Sequence, residues 1–134
     1  MVQEFVIEGG RMVTLEDFFD EIGRVLIPGK DWGRNLDAFD DILCGWLDTP
    51  AEGFTIRWQN SANARKMLGY PETVRQLEIR LSRCHPTNRK NVRRDLENAR
   101  AQRGPVVFDW LIEIIRDHGE GGRSAEDKVH LVLD

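Results

Sequence analysis

The stretch WGRNLDAFDDILCGW, Trp32 to Trp46, has a helical period with chemically opposite faces. At about 100° per residue, Leu36, Phe39, Ile42, Leu43 and Trp46 fall on one side, and Asp37, Asp40, Asp41 and Cys44 on the other. A helix from Asn35 onward with that pattern lies against a core and turns three carboxylates outward. Repulsion between Asp37 and Asp41 at i,i+4 spacing costs roughly 0.2–0.5 kcal/mol, and aspartate is a mediocre helix former. Asp37, near the helix start, gains from the macrodipole; Asp40 and Asp41 gain less. A solvated acidic face accounts for such a helix as readily as a binding face does, so the flanking sequence has to decide.

Upstream, EFVIE (residues 4–8) is a short apolar run closed by Gly9-Gly10, which suits a strand buried on both faces. Thr14 then precedes LEDFFDEIGRVL, where Leu15, Phe18, Phe19, Ile22 and Leu26 recur at helical spacing and Asp17 completes a capping-box-like pair with Thr14. Pro28-Gly29 ends that helix, and a turn containing Asp31-Trp32-Gly33 leads into the carboxylate helix. Downstream, FTIRW (residues 54–58) has the composition of a second strand. Pro105 stands at a favoured helix-start position, followed by the stripe Phe108, Leu111, Ile112, Ile115 and a terminating Gly119. VHLVLD then gives a third strand. Strands separated by helices predict an α/β fold with a small three-stranded parallel sheet.

Residues 60–104 interrupt this scheme. They hold two helix-like segments, ETVRQLEIRLSR and RKNVRRDLENARAQR, each with a narrow apolar stripe: Val74, Leu77, Leu81, then Val92, Leu96, Ala99. Such stripes suffice to dock on a body but not to form a separate core, so the region reads as a helical insertion in a single domain spanning 1–134.

The overall charge of -4 conceals a larger asymmetry, since residues 1–59, 60–104 and 105–134 net -7, +7 and -4. Acidic segments attract basic proteins, whereas the basic middle favours polyanions. No run approaches the roughly 18 apolar residues of a membrane span, and the N-terminus lacks a basic leader, so a cytoplasmic protein without membrane contact is expected. Cys44 and Cys84 are isolated, consistent with reduced thiols, and His85, His118 and His130 stand at no ligand spacing from them. Neither metal nor cofactor is expected, and the histidines read as ordinary ones.

The run WGRNLDAFDDILCGW resembles the barstar helix, in which Tyr-Gly-x-Asn-Leu-Asp-Ala-Leu precedes a binding aspartate. The resemblance extends to the first strand with its glycine turn, to TLEDFFDEIG, to the tryptophan-bearing second strand, to FDWLIEIIRDHG and to the last strand, leaving residues 60–104 outside. It implies an intracellular inhibitor, monomeric when free, that plugs the RNA site of a basic ribonuclease or ribonuclease-like toxin with acidic side chains, as an immunity protein or antitoxin does. It assigns partner contact to Asp37, Asp41 and Trp46, and also to Asp117 on the last long helix and to Asp31-Trp32 before the carboxylate helix, and Asp40 on the same exposed face is expected to join them. Asp40 and Asp31 stand where the family has aromatics, which implies a changed contact surface.

Two other readings compete. RKNVRRDLENARAQR could track phosphates as a nucleic-acid module, but it lacks interleaved aromatics and carries its own acids, so no nucleic-acid partner is expected. Catalysis by Asp37, Asp40 and Asp41 is disfavoured because neighbouring carboxylates on one helix do not bracket a substrate, and no Ser-His pair, phosphate loop or HExxH is present.

Overall fold

The computed structural model describes residues 3–45 and 49–134. Strands β1 (Gln3–Glu8), β2 (Phe54–Gln59) and β3 (Val129–Leu133) form one parallel sheet in the order β1-β2-β3. Ile7 pairs with Trp58, and Ile56 with Leu131, so apolar residues in register build a single inner face. Phe54, Ile56 and Trp58 of the central strand are no more than 1% exposed.

The outer face remains open. Arg57 spans it, its Nε donating to Glu4 (3.0 Å) and its Nη1 to Asp134 (2.8 Å). Val6 beside it is 40% exposed. The expectation that residues 4–8 are buried on both faces is therefore corrected: β1 is an edge strand, covered on one side only. An ion-paired surface stands where parallel sheets ordinarily carry a second helical layer.

Helix α1 (Leu15–Val25) is capped as its sequence predicts: Thr14 Oγ1 accepts from the Asp17 amide (3.2 Å), and Asp17 accepts from the Thr14 amide (3.0 Å). Leu15, Phe18, Phe19, Ile22 and Leu26 are all buried. Helix α2 (Leu36–Leu43) follows the Trp32 loop. The ring of Phe18 lies 5.1 Å from Phe39 and 5.3 Å from Trp58, while Trp58 lies 5.0 Å from Phe108. This chain of rings joins α1, α2, β2 and the late helix around one core, each aromatic pair adding about 0.5–1.5 kcal/mol beyond its buried area.

The middle region contains three helices, α3 (Ser61–Met67), α4 (Tyr70–Arg83) and α5 (Arg89–Arg100), before α6 (Val107–Asp117). Ala64 and Leu68 are fully buried in the same core as Trp58, so α3 belongs to the main body and the excursion proper begins near residue 70. The stripes of α4 and α5 face each other. Leu77, Val92, Leu96 and Ala99 form a second core, joined to the first through the half-buried Trp110. The expectation that these stripes build no core of their own is corrected, because two narrow stripes suffice once they pair.

Polar contacts at the start of α4 fix this hairpin to the body. Glu72, 6% exposed, accepts from the Leu15 amide at the start of α1 (2.8 Å), and Thr73 Oγ1 accepts from the Val107 amide at the start of α6 (2.9 Å). Two helix-terminal amides that have no partner within their own helices are thereby satisfied. Helix α6 begins two residues after Pro105, with Asp109 accepting from the Val106 amide (2.9 Å). Among the described residues no helix is long and apolar enough to cross a membrane.

Candidate functional site

Helix α2 is held at both ends. Asn35 Oδ1 accepts from the Ala38 amide at 2.8 Å, the N-cap role its side chain favours. At the other end the buried Thr49 hydroxyl donates to the Ile42 carbonyl at 2.8 Å. Phe39, Ile42 and Leu43 are at most 1% exposed, so the apolar face is committed to the core and the helix cannot roll. Asp37, Asp40 and Asp41 are all exposed. Among the described residues no side chain or amide hydrogen-bonds to the carboxylate of Asp37 or Asp41, leaving both with unsatisfied acceptor capacity towards solvent.

The remaining candidates are placed differently. Asp31 is exposed in the loop before α2. Trp32 is only 9% exposed and sets its ring edge-on to Phe19 at 5.6 Å, so its area serves the core and little remains for a partner. Asp117, at the end of α6, is half-buried and pairs with Arg123 (Nε to Oδ2, 3.0 Å), whose hydrogen bonds hold its carboxyl below the usual range. Arg34 pairs with Asp20. Trp46 lies outside the described residues.

Asp40 is tied to a residue 78 positions away. His118, 2% exposed at the end of α6, places Nε2 2.6 Å from Asp40 and Nδ1 2.6 Å from Asp127. Burial pulls this imidazole down, but hydrogen bonds and charge from Asp127 and Asp40 outweigh it, and its pKa lies above 6.5. Cys44 Sγ sits 3.8 Å from Nδ1; partial desolvation and the charges of Asp127, Asp40 and Asp41 push its thiol up to about 11. Spacing along the chain pairs no histidine with a cysteine as ligands, but folding brings His118 to Cys44 across 74 residues. Among the described residues Cys44, His118 and Asp127 are the one gathered set of thiol, imidazole and carboxylate donors, within 4.8 Å of one another. Both imidazole nitrogens are engaged with carboxylates and the thiol lies beside Nδ1, so the set forms a hydrogen-bonded cluster.

A family model described as Barstar (barnase inhibitor) matches residues 2–84. The chain belongs to the barstar family. The match covers more than half the chain, takes in β1, α1, the carboxylate helix and β2, and continues through α3 and α4. The barstar family is one of ribonuclease-binding inhibitors and not of enzymes. The region left outside the resemblance by sequence, 60–104, is thus partly inside the match, in keeping with the packing of α3 into the main core. No curated protein sequence matches the chain. His118 and Asp127 escape sequence reasoning, because nothing in the spacing of either points to Asp40.

Proposed function

We propose that this barstar-family protein inhibits a basic ribonuclease, or a ribonuclease-like toxin, by setting the Asp37 and Asp41 carboxylates into its RNA-binding site. The observation that carries this reading is the pair of exposed carboxylates, without a hydrogen-bond partner among the described residues, on a helix locked by its core face and both ends. A site built to hold a polyanion is basic, so rigid carboxylates meet complementary potential and gain steered association. Little ordering remains to be done on binding. Asp31, exposed in the loop before α2, would extend the contact, Trp46 is added to it by the sequence resemblance alone, and a cytoplasmic location with reduced Cys44 and Cys84 fits an inhibitor that protects its own cell.

A nucleic-acid module on the α4–α5 hairpin is less well supported because part of its positive charge is spent internally. Arg75 binds Glu72 and Glu16, Arg100 lies near Glu78, and Arg80 covers the ring of Trp110.

The test is inhibition of RNA cleavage by barnase, together with a pull-down of host proteins, using wild type and a D37A/D41A variant. Asp41→Ala is expected to weaken inhibition at least tenfold, while unfolding free energy changes by no more than about 0.5 kcal/mol, as for an exposed position. Equal inhibition by the double variant, or a pull-down in which no basic protein depends on these carboxylates, overturns the proposal.

A further inference from the structure

His118 is the feature that inhibition by Asp37 and Asp41 leaves unexplained. A neutral imidazole carries one N–H, yet both nitrogens of His118 approach carboxylate oxygens at 2.6 Å. One of those contacts would then set a nitrogen lone pair against an anion. Only the imidazolium donates to both. The acceptors come from separate parts of the fold: Asp40 lies on the exposed face of α2, and Asp127 in the short turn that leads into β3.

We propose that His118 is a positioning residue of the carboxylate helix: as an imidazolium it bridges Asp40 to Asp127, anchors the second half of α2 to the turn before β3, and withdraws Asp40 from the partner. This rests on the reading of α2 as the inhibitory face, and it divides that face unequally. Asp37 and Asp41 are offered to the partner, while Asp40 is an internal anchor whose charge is matched within the protein.

The surroundings are consistent with this assignment. Among the described residues, Asp40 and Cys44 approach His118 from α2 and its end and Asp127 from the turn, while the adjacent Asp117, paired with Arg123, acts on it through charge and Asp41 acts on Cys44. Two carboxylates thus bond His118 directly and a third adds its charge. The raised pKa sets the sign of the pH effect. The clamp's stability is fully present below the ordinary histidine value of 6.5 and is lost as pH rises through the higher native value. On losing its proton His118 keeps one hydrogen bond. The Asp127 side chain is 18% exposed and that of Asp40 52%, so Asp40 is the one released to water.

Side-chain nitrogen NMR of His118 across pH tests the clamp without a partner, in wild type, Asp40→Asn and Asp127→Asn. Both nitrogens should be protonated at pH 6.5, the midpoint should lie above 6.5, and each variant should lower it. In thermal melts, the loss of stability through that midpoint should be smaller in both variants. Affinity for barnase tests the withdrawal: Asp40→Asn should stay within about threefold of wild type, whereas Asp41→Ala loses at least about tenfold. A midpoint at or below 6.5, or one that Asp40→Asn does not move, overturns the clamp. An Asp40→Asn loss as large as that of Asp41→Ala overturns the withdrawal. If wild type does not bind barnase, the inhibitory reading is what suffers, and the NMR titration still decides the clamp.

Discussion

Glu72 shows how one buried side chain can join two parts of the fold. It accepts from the Leu15 amide and from Arg75 (2.6 Å), and lies at 5% side-chain exposure. Burial pushes its carboxyl up, but the hydrogen bonds from Arg75, Leu15 and Gln76 prevail and hold it below 4.5. Glu72→Gln is therefore expected to cost about 1.5–3 kcal/mol, the range for hydrogen bonds to a charged group, read from denaturant unfolding. The sign of the pH effect is opposite to that of His118. The contribution of Glu72 is fully present above its ordinary value of 4.5 and is lost as pH falls through its lower native value, so wild type should lose more stability than the variant on acidification through that range. Neither role is legible in sequence, where Glu72 is one acid among the polar residues of an amphipathic helix.

At the level of elements, α1, α2 and α6 follow directly from apolar spacing, since every member of their predicted stripes that the structure describes is buried or half-buried. The α4–α5 hairpin is less readable. Each stripe alone is too narrow for a core, and only their mutual contact creates one. That core is small and meets the main one at Trp110, so it should open by itself. Leu96→Ala is expected to cost 2–5 kcal/mol locally, the usual range for a buried leucine. Hydrogen exchange should then rise first in 70–100, with β2 and α1 still protected. Simultaneous loss of protection in both regions would mean that the two cores form one cooperative unit.

Across the whole molecule, charge is segregated along the chain, with -7 over residues 1–59 and +7 over 60–104. A basic partner is drawn to the former and repelled by the latter, which should steer its approach towards α2. The association rate with barnase is therefore expected to fall steeply from about 0.01 M to 1 M salt, as the screening length shrinks from about 30 Å to 3 Å. The D37A/D41A variant should show a shallower slope in stopped-flow traces, and an unchanged slope would place the steering charge elsewhere. Family and fold class are likewise properties of the whole, and both are readable because strand–helix alternation around the WGRNLDAFDDILCGW helix implies a parallel sheet and carries the resemblance, whereas the strand order comes from the structure.

Sequence by itself determined the parallel α/β class, the capped α1, and a helix with a carboxylate face, because hydrophobic period and capping are local properties written within a few residues. Tertiary structure decided that the sheet has one open face, that α3 joins the main core, and that the three aspartates of α2 are not equivalent. Asp40 and His118 meet across 78 residues, and Glu72 and Leu15 across 57. Hydrogen bonds of that reach have no period along the chain, since only the packing of the elements sets which polar groups come within 3 Å of one another.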